Sequence, residues 1–143
     1  MSEVHLQIPA QADYLELVRL TVFGIASKLN LTYEDIEDLK VAVSEACNQA
    51  ILHAELTGNA APGELGIRFD ARTEALAVTV KAPGSGAFLA APSGSAEAGL
   101  QAEASKISLG FYLMKALMDE VEVDAQHGME VTLIKYTNIN TTT

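Results

Sequence analysis

The sequence predicts an α+β fold in which one face of a single sheet is covered by helices. Apolar residues recur at helical spacing in three segments, and the alternating runs typical of strands include two pairs joined by brief polar turns. Strands joined in this way pair antiparallel, because a parallel connection needs a crossover of a dozen or more residues. We therefore expect a two-layer α/β sandwich with a mixed, mainly antiparallel sheet and about three helices on one face.

The elements are predicted from these patterns in chain order. Thr32 and Asp35 resemble a capping box at the start of the second helix, and the carboxylates that follow suit the positive end of a helix. The predicted elements are strand Val4–Ile8, helix Ala10–Leu29, helix Glu34–His53, strands Glu64–Phe69 and Ala75–Ala82, helix Ser108–Glu120, and strands Val121–Ala125 and Glu130–Tyr136. Segment 83–107 is rich in Gly, Ala, Ser and Pro, and we expect a lid-like loop there.

Length and composition narrow the class of protein. The 143 residues suit one domain, 1–143, and 49% hydrophobic with 20% charged residues is an ordinary globular composition. Nine basic and nineteen acidic residues give a net charge of -10, which argues against a nucleic-acid ligand. No apolar run reaches the roughly 20 residues that span a membrane. With Cys47 as the single cysteine, no intrachain disulfide can form, and we expect a cytoplasmic protein.

Several longer stretches resemble one known family at matching spacings. They are RLTVFGIASKL, TYEDIEDLKVAVSEAC, LGFYLMKALMDEVEV and the closing TLIKY. In these stretches the chain resembles the anti-sigma factor serine kinases of the RsbW type, which belong to the Bergerat-fold ATPases. The resemblance implies a homodimer that binds a sigma factor, and that uses Mg-ATP to phosphorylate a serine on an anti-anti-sigma partner.

The family's Glu-x-x-x-Asn motif on the second helix is only half present. The resemblance makes Glu45 the base towards the attacking hydroxyl, and it makes Gln49 the residue at the position of the Mg²⁺-binding Asn. Residues four apart share a helix face, so both side chains reach one point. Gln is longer than Asn by a methylene, and Mg²⁺ demands near-ideal octahedral geometry. Asn48 lies about 100° round the helix and is a poor substitute.

The other nucleotide positions implied by the resemblance are mostly substituted. Ala82 stands where the family has the Asp that reads adenine, and Gly84 is retained after it. Ser108 replaces a glycine of the phosphate-binding turn, Gly110 remains, and Glu130 stands near a Thr position beside the adenine. We therefore expect ATP binding to be lost or much weakened, with no cofactor; Mg-ATP would be the cofactor only if the site still functions.

Three further residues have both a structural and a functional interpretation. Arg19 lies in an apolar stretch of the first helix; it is either a solvated charge or, by the resemblance, the residue that contacts both protein partners. His53 is interpreted as a partly buried structural histidine, because no second His or Cys lies near it to share a metal. Cys47, on an apolar face of the second helix, is interpreted as a packing residue.

Three functions remain open at this point. The first is an anti-sigma regulator that binds a sigma factor, an anti-anti-sigma partner of the STAS type, or both, with a degraded ATP site. The second is an active Mg-ATP-dependent serine kinase that uses Glu45 and Gln49. The third is a dimeric scaffold that has been adapted to bind an unrelated protein.

Overall fold

The computed structural model describes residues 2–56, 63–82, 109–124 and 130–137. Segment 83–107, predicted as a lid-like loop and including Gly84, lies outside these ranges, as does Ser108. The described elements are strand β1 (Ser2–Pro9), a 3-10 turn (Ala12–Tyr14), helix α1 (Leu15–Ala26), helix α2 (Tyr33–Leu56), strand β2 (Glu64–Ala71), strand β3 (Ala75–Lys81), helix α3 (109–117), strand β4 (Glu120–Asp124) and strand β5 (Glu130–Tyr136).

The strands form one five-stranded sheet in the order β1-β2-β3-β5-β4, and every pairing in it is antiparallel. Side chains alternate across a strand, and the registered row Leu6, Ile67, Val80 and Val131 faces the helices. The predicted α+β architecture is confirmed. The sheet is antiparallel throughout its described part, and the short connection between β2 and β3 requires this arrangement for that pair.

The first helix begins later than the sequence predicts. Gln11 is still extended, with φ -139° and ψ 142°, and the amide of Ala10 donates to Gly63 O at 3.0 Å. These residues therefore continue the path of β1, and the predicted helical start at Ala10 is wrong. A 3-10 turn follows, and α1 starts only at Leu15.

The capping box at the start of α2 is confirmed. The amide of Asp35 donates to Thr32 Oγ1 at 3.0 Å, and the amide of Thr32 donates back to Asp35 Oδ2 at 3.3 Å. Both bonds satisfy backbone groups that a helix start leaves without a partner. They fix the first turn of the 24-residue helix on which the candidate site lies.

The core lies between the sheet and the helices. Val18 and Val22 of α1, Leu39 and Val43 of α2, and Met114 of α3 are fully buried against the sheet. Burial of each such side chain contributes about 1.5–3 kcal/mol relative to exposure. The helices are therefore fixed on the sheet by this shared layer of apolar side chains.

The two edges of the sheet have different side chains. On β4, Glu120, Glu122 and Asp124 are exposed and project from the face opposite the helices. On β1, the corresponding face carries Glu3 and His5, whose side chains pair with each other at 3.0 Å. The β4 edge therefore carries more negative charge than the β1 edge.

Candidate functional site

The middle of α2 and the start of α3 enclose a small cavity of about 290 Å³. Glu45 and Gln49 are one helical turn apart on α2, so both side chains reach the same wall of the cavity. The described residues that line it are Glu45, Asn48, Gln49, Leu52, Leu109, Gly110 and Leu113. The structure thus brings together Glu45, Gln49 and Gly110, three of the positions singled out from the sequence.

Glu45 and Gln49 are bonded to each other. Gln49 Nε2 donates to Glu45 Oε2 at 3.1 Å, and Gln49 as a whole is only 3% exposed. The remaining amide atom, Gln49 Oε1, is buried and has no hydrogen-bond partner within the described structure. A buried acceptor without a partner costs about 1–3 kcal/mol. The pair thus leaves one acceptor at the cavity wall that a donor or a cation would satisfy.

Gly110 brings the backbone of α3 into close contact with this pair. A Cβ atom added at residue 110 would clash with Gln49 Nε2 and lie 2.7 Å from Glu45 Oε2. Only glycine therefore fits here while the Glu45–Gln49 bond is intact. The start of α3 closes directly over the two side chains.

A magnesium-bound nucleotide needs oxygen ligands for the cation and a polar side chain that reads the base. Gln49 Oε1 would suit a cation, but the amide nitrogen of the same side chain is bonded to the carboxylate. Ala82 is 3% exposed within the hydrophobic core and has no polar side-chain atom to read a base. Among the described residues, no group of three or more His, Cys, Asp or Glu could hold a metal ion. In this arrangement the described residues offer a nucleotide one unbonded amide oxygen, that of Gln49, and no polar side-chain atom at Ala82.

Glu130 is not part of the cavity. Its strand neighbour Val131 faces the helices, so Glu130 projects from the opposite face of the sheet. There it lines a separate hollow with His5, Arg68 and Lys81. The expectation that Glu130 lies beside a nucleotide therefore does not agree with the register of β5, because the prediction ignored the alternation of side chains along the strand.

Arg19 is held on the side of α1 that faces α2. Its Nε donates to Ser44 Oγ at 2.9 Å, and its Nη1 contacts Glu16 Oε1 at 3.1 Å. The side chain is 37% exposed, which places the guanidinium partly in solvent. The contact between Ser44 and Arg19 was not predicted from the sequence. The one feature that could have indicated it is a hydroxyl residue directly before Glu45 on an otherwise apolar part of α2.

Around Arg19, α1 exposes an apolar surface, here called the α1 patch, formed by Leu17, Leu20 and Phe23. These side chains are 45%, 60% and 46% exposed. The ammonium of Lys40, on α2, lies 6.0 Å from the centre of the Phe23 ring. Exposed apolar side chains grouped on one helix are typical of protein-binding surfaces.

Burial determines the ionisation of two other residues on α2. Burial raises the pKa of the Cys47 thiol to about 12, and the nearby Arg19 guanidinium opposes this only in part. The thiol therefore stays protonated, as expected for a packing residue. Burial also lowers the pKa of the His53 imidazole, which keeps the ring neutral within the core.

The fold and the cavity are those of an ATPase-like domain, and comparison with known proteins agrees. The chain belongs to the family described as the histidine kinase-like ATPase domain, which it matches over residues 8–135. Within this family it is of the RsbW type, as its motifs indicated. It is 39% identical over 146 residues to the serine-protein kinase RsbW of Bacillus velezensis, covering 94% of this chain and 86% of that protein.

Other RsbW proteins are similarly related. The serine-protein kinase RsbW of Listeria innocua is 37% identical over 140 residues, with 95% of this chain and 88% of that protein covered. A solved structure of the RsbU and RsbW domains of a Mycobacterium tuberculosis protein matches the fold with a TM-score of 0.67 at 16% identity. That match covers 100% of this chain and 35% of the other. None of the described helices is long and apolar enough to cross a membrane.

Proposed function

We propose that this chain is a cytoplasmic regulatory protein that binds a sigma factor, an anti-anti-sigma protein, or both, and whose nucleotide binding is weak or lost. The observation that carries the proposal is the surface around Arg19. There a partly exposed guanidinium, bonded to Ser44 and Glu16, lies on the same helix as the exposed apolar side chains of the α1 patch. Arg within an apolar surface is a common anchor at protein interfaces.

The charge of the chain favours an acidic partner group at this point. The protein carries a net charge of -10, so a carboxylate on a partner is repelled by most of its surface. The Arg19 guanidinium is a local exception, and its bond to Ser44 orients it before a partner arrives. Orientation in advance reduces the entropy lost on binding. The α1 patch would supply apolar contact area around the ion pair.

Weak nucleotide binding follows from the state of the cavity. Gly110 closes over Gln49, Gln49 is bonded to Glu45, and Ala82 has no group with which to read adenine. A phosphate or metal ion would have to break the Glu45–Gln49 bond and displace the start of α3. Each of these changes costs free energy that the ligand must offset. We therefore assign the regulatory role to protein binding and not to a phosphorylation cycle.

The proposal is tested by titrating the chain with its partner proteins in EDTA and again in Mg-ATP. We expect equal affinities under both conditions. Calorimetric titration with Mg-ADP and Mg-ATP should show binding weaker than about 1 µM, if any heat is measured. Gln49→Asn, which restores the family's metal-binding side chain, should strengthen nucleotide binding. Partner binding that requires Mg-ATP, or tight nucleotide binding by the unmodified chain, would overturn the proposal.

An active serine kinase is the second candidate, and Gln49 Oε1 favours it. This buried acceptor has no partner in the described structure, and a bound cation would satisfy it. The relatives of the chain are named serine-protein kinases. In this role, Glu45 would accept the proton of the attacking serine hydroxyl. Transfer of phosphate from labelled ATP to an anti-anti-sigma partner, abolished by Glu45→Gln, would establish the kinase and replace the first proposal.

We further propose that the chain forms a homodimer through β1 and α1. Val4 on β1 and the α1 patch are exposed apolar groups on the two elements concerned. Light scattering over a dilution series should give a mass near twice the 15.2 kDa of the chain. A mass of one chain at every concentration, with no partner protein present, contradicts this assembly.

A further inference from the structure

Lys135 occupies an unusual position for a lysine. It lies on β5 directly opposite Leu76 of β3, which is fully buried, and its own residue is 9% exposed. Lysine is seldom buried to this extent unless its ammonium is paired. Lys135 takes no part in the candidate site described above, so its burial needs a separate explanation.

The ammonium of Lys135 joins two helices to the sheet. Its Nζ donates to the carbonyl oxygen of Leu117, the last residue of α3, at 2.8 Å. The same atom lies 3.8 Å from Asp35 Oδ1 and 3.8 Å from Asp38 Oδ2, both near the start of α2. A cation is favoured at the negative C-terminal end of a helix, and carboxylates are favoured at the positive N-terminal end. One ammonium thus complements both helix ends.

The residues that directly follow α3 are also hydrogen-bonded to strand β5. The amide of Asp119 donates to Ile134 O at 3.0 Å, and the amide of Tyr136 donates to Asp119 Oδ2 at 2.7 Å. The other end of α3 carries Gly110, which closes over Glu45 and Gln49. The described part of α3 is nine residues long, and a helix moves as a rigid unit over this length. Bonds that fix one end of it therefore also limit the movement of the other end.

We propose that Lys135 is a positioning residue that sets how closely the start of α3 packs on Glu45 and Gln49. It acts through α3 and does not touch the cavity. When Lys135 pairs with Leu117 O and the α2 carboxylates, Gly110 is held against Gln49 and the cavity stays narrow. Loss of that pairing frees the end of α3 and lets its start move away. The inference concerns the chain alone and does not depend on its ligand or partner.

The test uses Lys135→Met, which keeps the apolar stem and removes the ammonium. In ¹H–¹⁵N spectra of the folded protein, the side-chain amide of Gln49 and the backbone amide of Gly110 should both shift. Amides 113–117 should exchange with solvent about tenfold faster or more, while amides of β1 and β2 keep their rates. A residue that only stabilised the fold would leave the Gln49 resonance of the folded state unchanged.

Lys40→Met is the matched control. Lys40 also pairs with a carboxylate on α2, that of Glu37 at 3.2 Å, but it lies next to α1. Its variant should leave the Gln49 and Gly110 resonances in place. If Lys135→Met does not fold, Asp38→Asn is used instead, because it weakens the same pairing and keeps the lysine. The same Gln49 and Gly110 resonances and the same amide exchange rates are then measured. An unchanged Gln49 amide, or equally faster exchange in every strand, overturns the proposal.

Discussion

Two neighbouring residues on α2 belong to two surfaces that differ in accessibility: one is open to solvent and the other is closed. Ser44 belongs to the partner surface, where its hydroxyl is bonded to Arg19 and the apolar side chains nearby are open to solvent. Glu45 belongs to the cavity, where the carboxylate is bonded to Gln49 and covered by Gly110. One surface is oriented and accessible, whereas the other is closed and retains an unsatisfied acceptor.

The two surfaces differ although adjacent residues of α2 contribute to both. The scaffold that supports the cavity therefore also supports the surface around Arg19. Mutations in the cavity can accumulate without loss of the fold, because the buried layer between α2 and the sheet does not include Glu45. The comparison can be tested by changing each surface separately.

The largest effect is expected at the partner surface. Arg19→Ala should weaken binding of a sigma factor or anti-anti-sigma protein by about 2 kcal/mol or more, roughly thirtyfold, because it removes an anchor surrounded by apolar contacts. The measurement is a calorimetric titration, with circular dichroism to confirm the fold. Arg72→Ala is the control, since Arg72 pairs with Asp70 at 3.0 Å on the β2–β3 turn. If Arg19→Ala and Arg72→Ala lose partner affinity equally, Arg19 is not part of the partner-binding surface.

A smaller effect is expected where α3 closes the cavity. Gly110→Ala should lower the free energy of unfolding by about 1–2 kcal/mol, because the new methyl group expels the buried Gln49 amide. Urea unfolding measures the change. Gly24→Ala is the control on α1, where an added Cβ meets nothing within 4 Å, and it should stabilise by about 0.5–1 kcal/mol.

The double variant identifies the cause of this loss. In a Gln49→Ala background the clash with the amide is absent and only the close contact with Glu45 Oε2 remains, so Gly110→Ala should cost about 1 kcal/mol less than in the wild type. Partner binding should be unaffected by either change. An equal cost in both backgrounds would show that the closeness of α3 to Gln49 is not what requires glycine.

The smallest effect is a pH dependence from His53. Burial holds the folded pKa of its imidazole below the ordinary histidine value of 6.5, so the unfolded chain binds the proton more readily. The stability that this provides is complete above the unfolded pKa and is lost as pH falls towards the folded one. Between about pH 7.5 and about pH 5.5, the wild type should lose up to about 1 kcal/mol more than His53→Gln.

Comparison with His53→Gln isolates the buried imidazole, because all other titratable groups are shared by the two proteins. Urea unfolding at each pH gives the free energies. If His53→Gln and the wild type lose stability equally, the burial of the imidazole does not contribute to the pH dependence.

Much of the fold could be predicted from local patterns. The capping box of Thr32 and Asp35 needs only residues three apart, and the alternation within β2 and β3 needs only the two-residue period of a strand. The start of α1 was misplaced because a hydrogen bond from Ala10 to Gly63, distant in the chain, extends the strand. A pattern within one segment does not contain that contact.

The site was predicted less completely, for the same reason. The position of Glu45 and Gln49 on one wall follows from their spacing, but the hydrogen bond between them and the closure by Gly110 depend on how α3 packs. That Glu130 lies on the face of the sheet away from the cavity depends on the register of β5. The role of Ser44 needed the packing of α1 on α2. Each of these features depends on contacts between residues that are distant in the chain.

The carboxylates of β4 have a consequence for self-assembly. A sheet has two edges, and an edge can extend by pairing with the edge of another molecule unless charge prevents it. Two β4 edges would bring Glu120, Glu122 and Asp124 of both molecules together, and like charges opposite each other oppose such pairing. The β1 edge carries one such carboxylate, Glu3, which is paired with His5. Strand addition between two β1 edges is therefore less opposed by charge, and it would join two molecules into one continuous sheet.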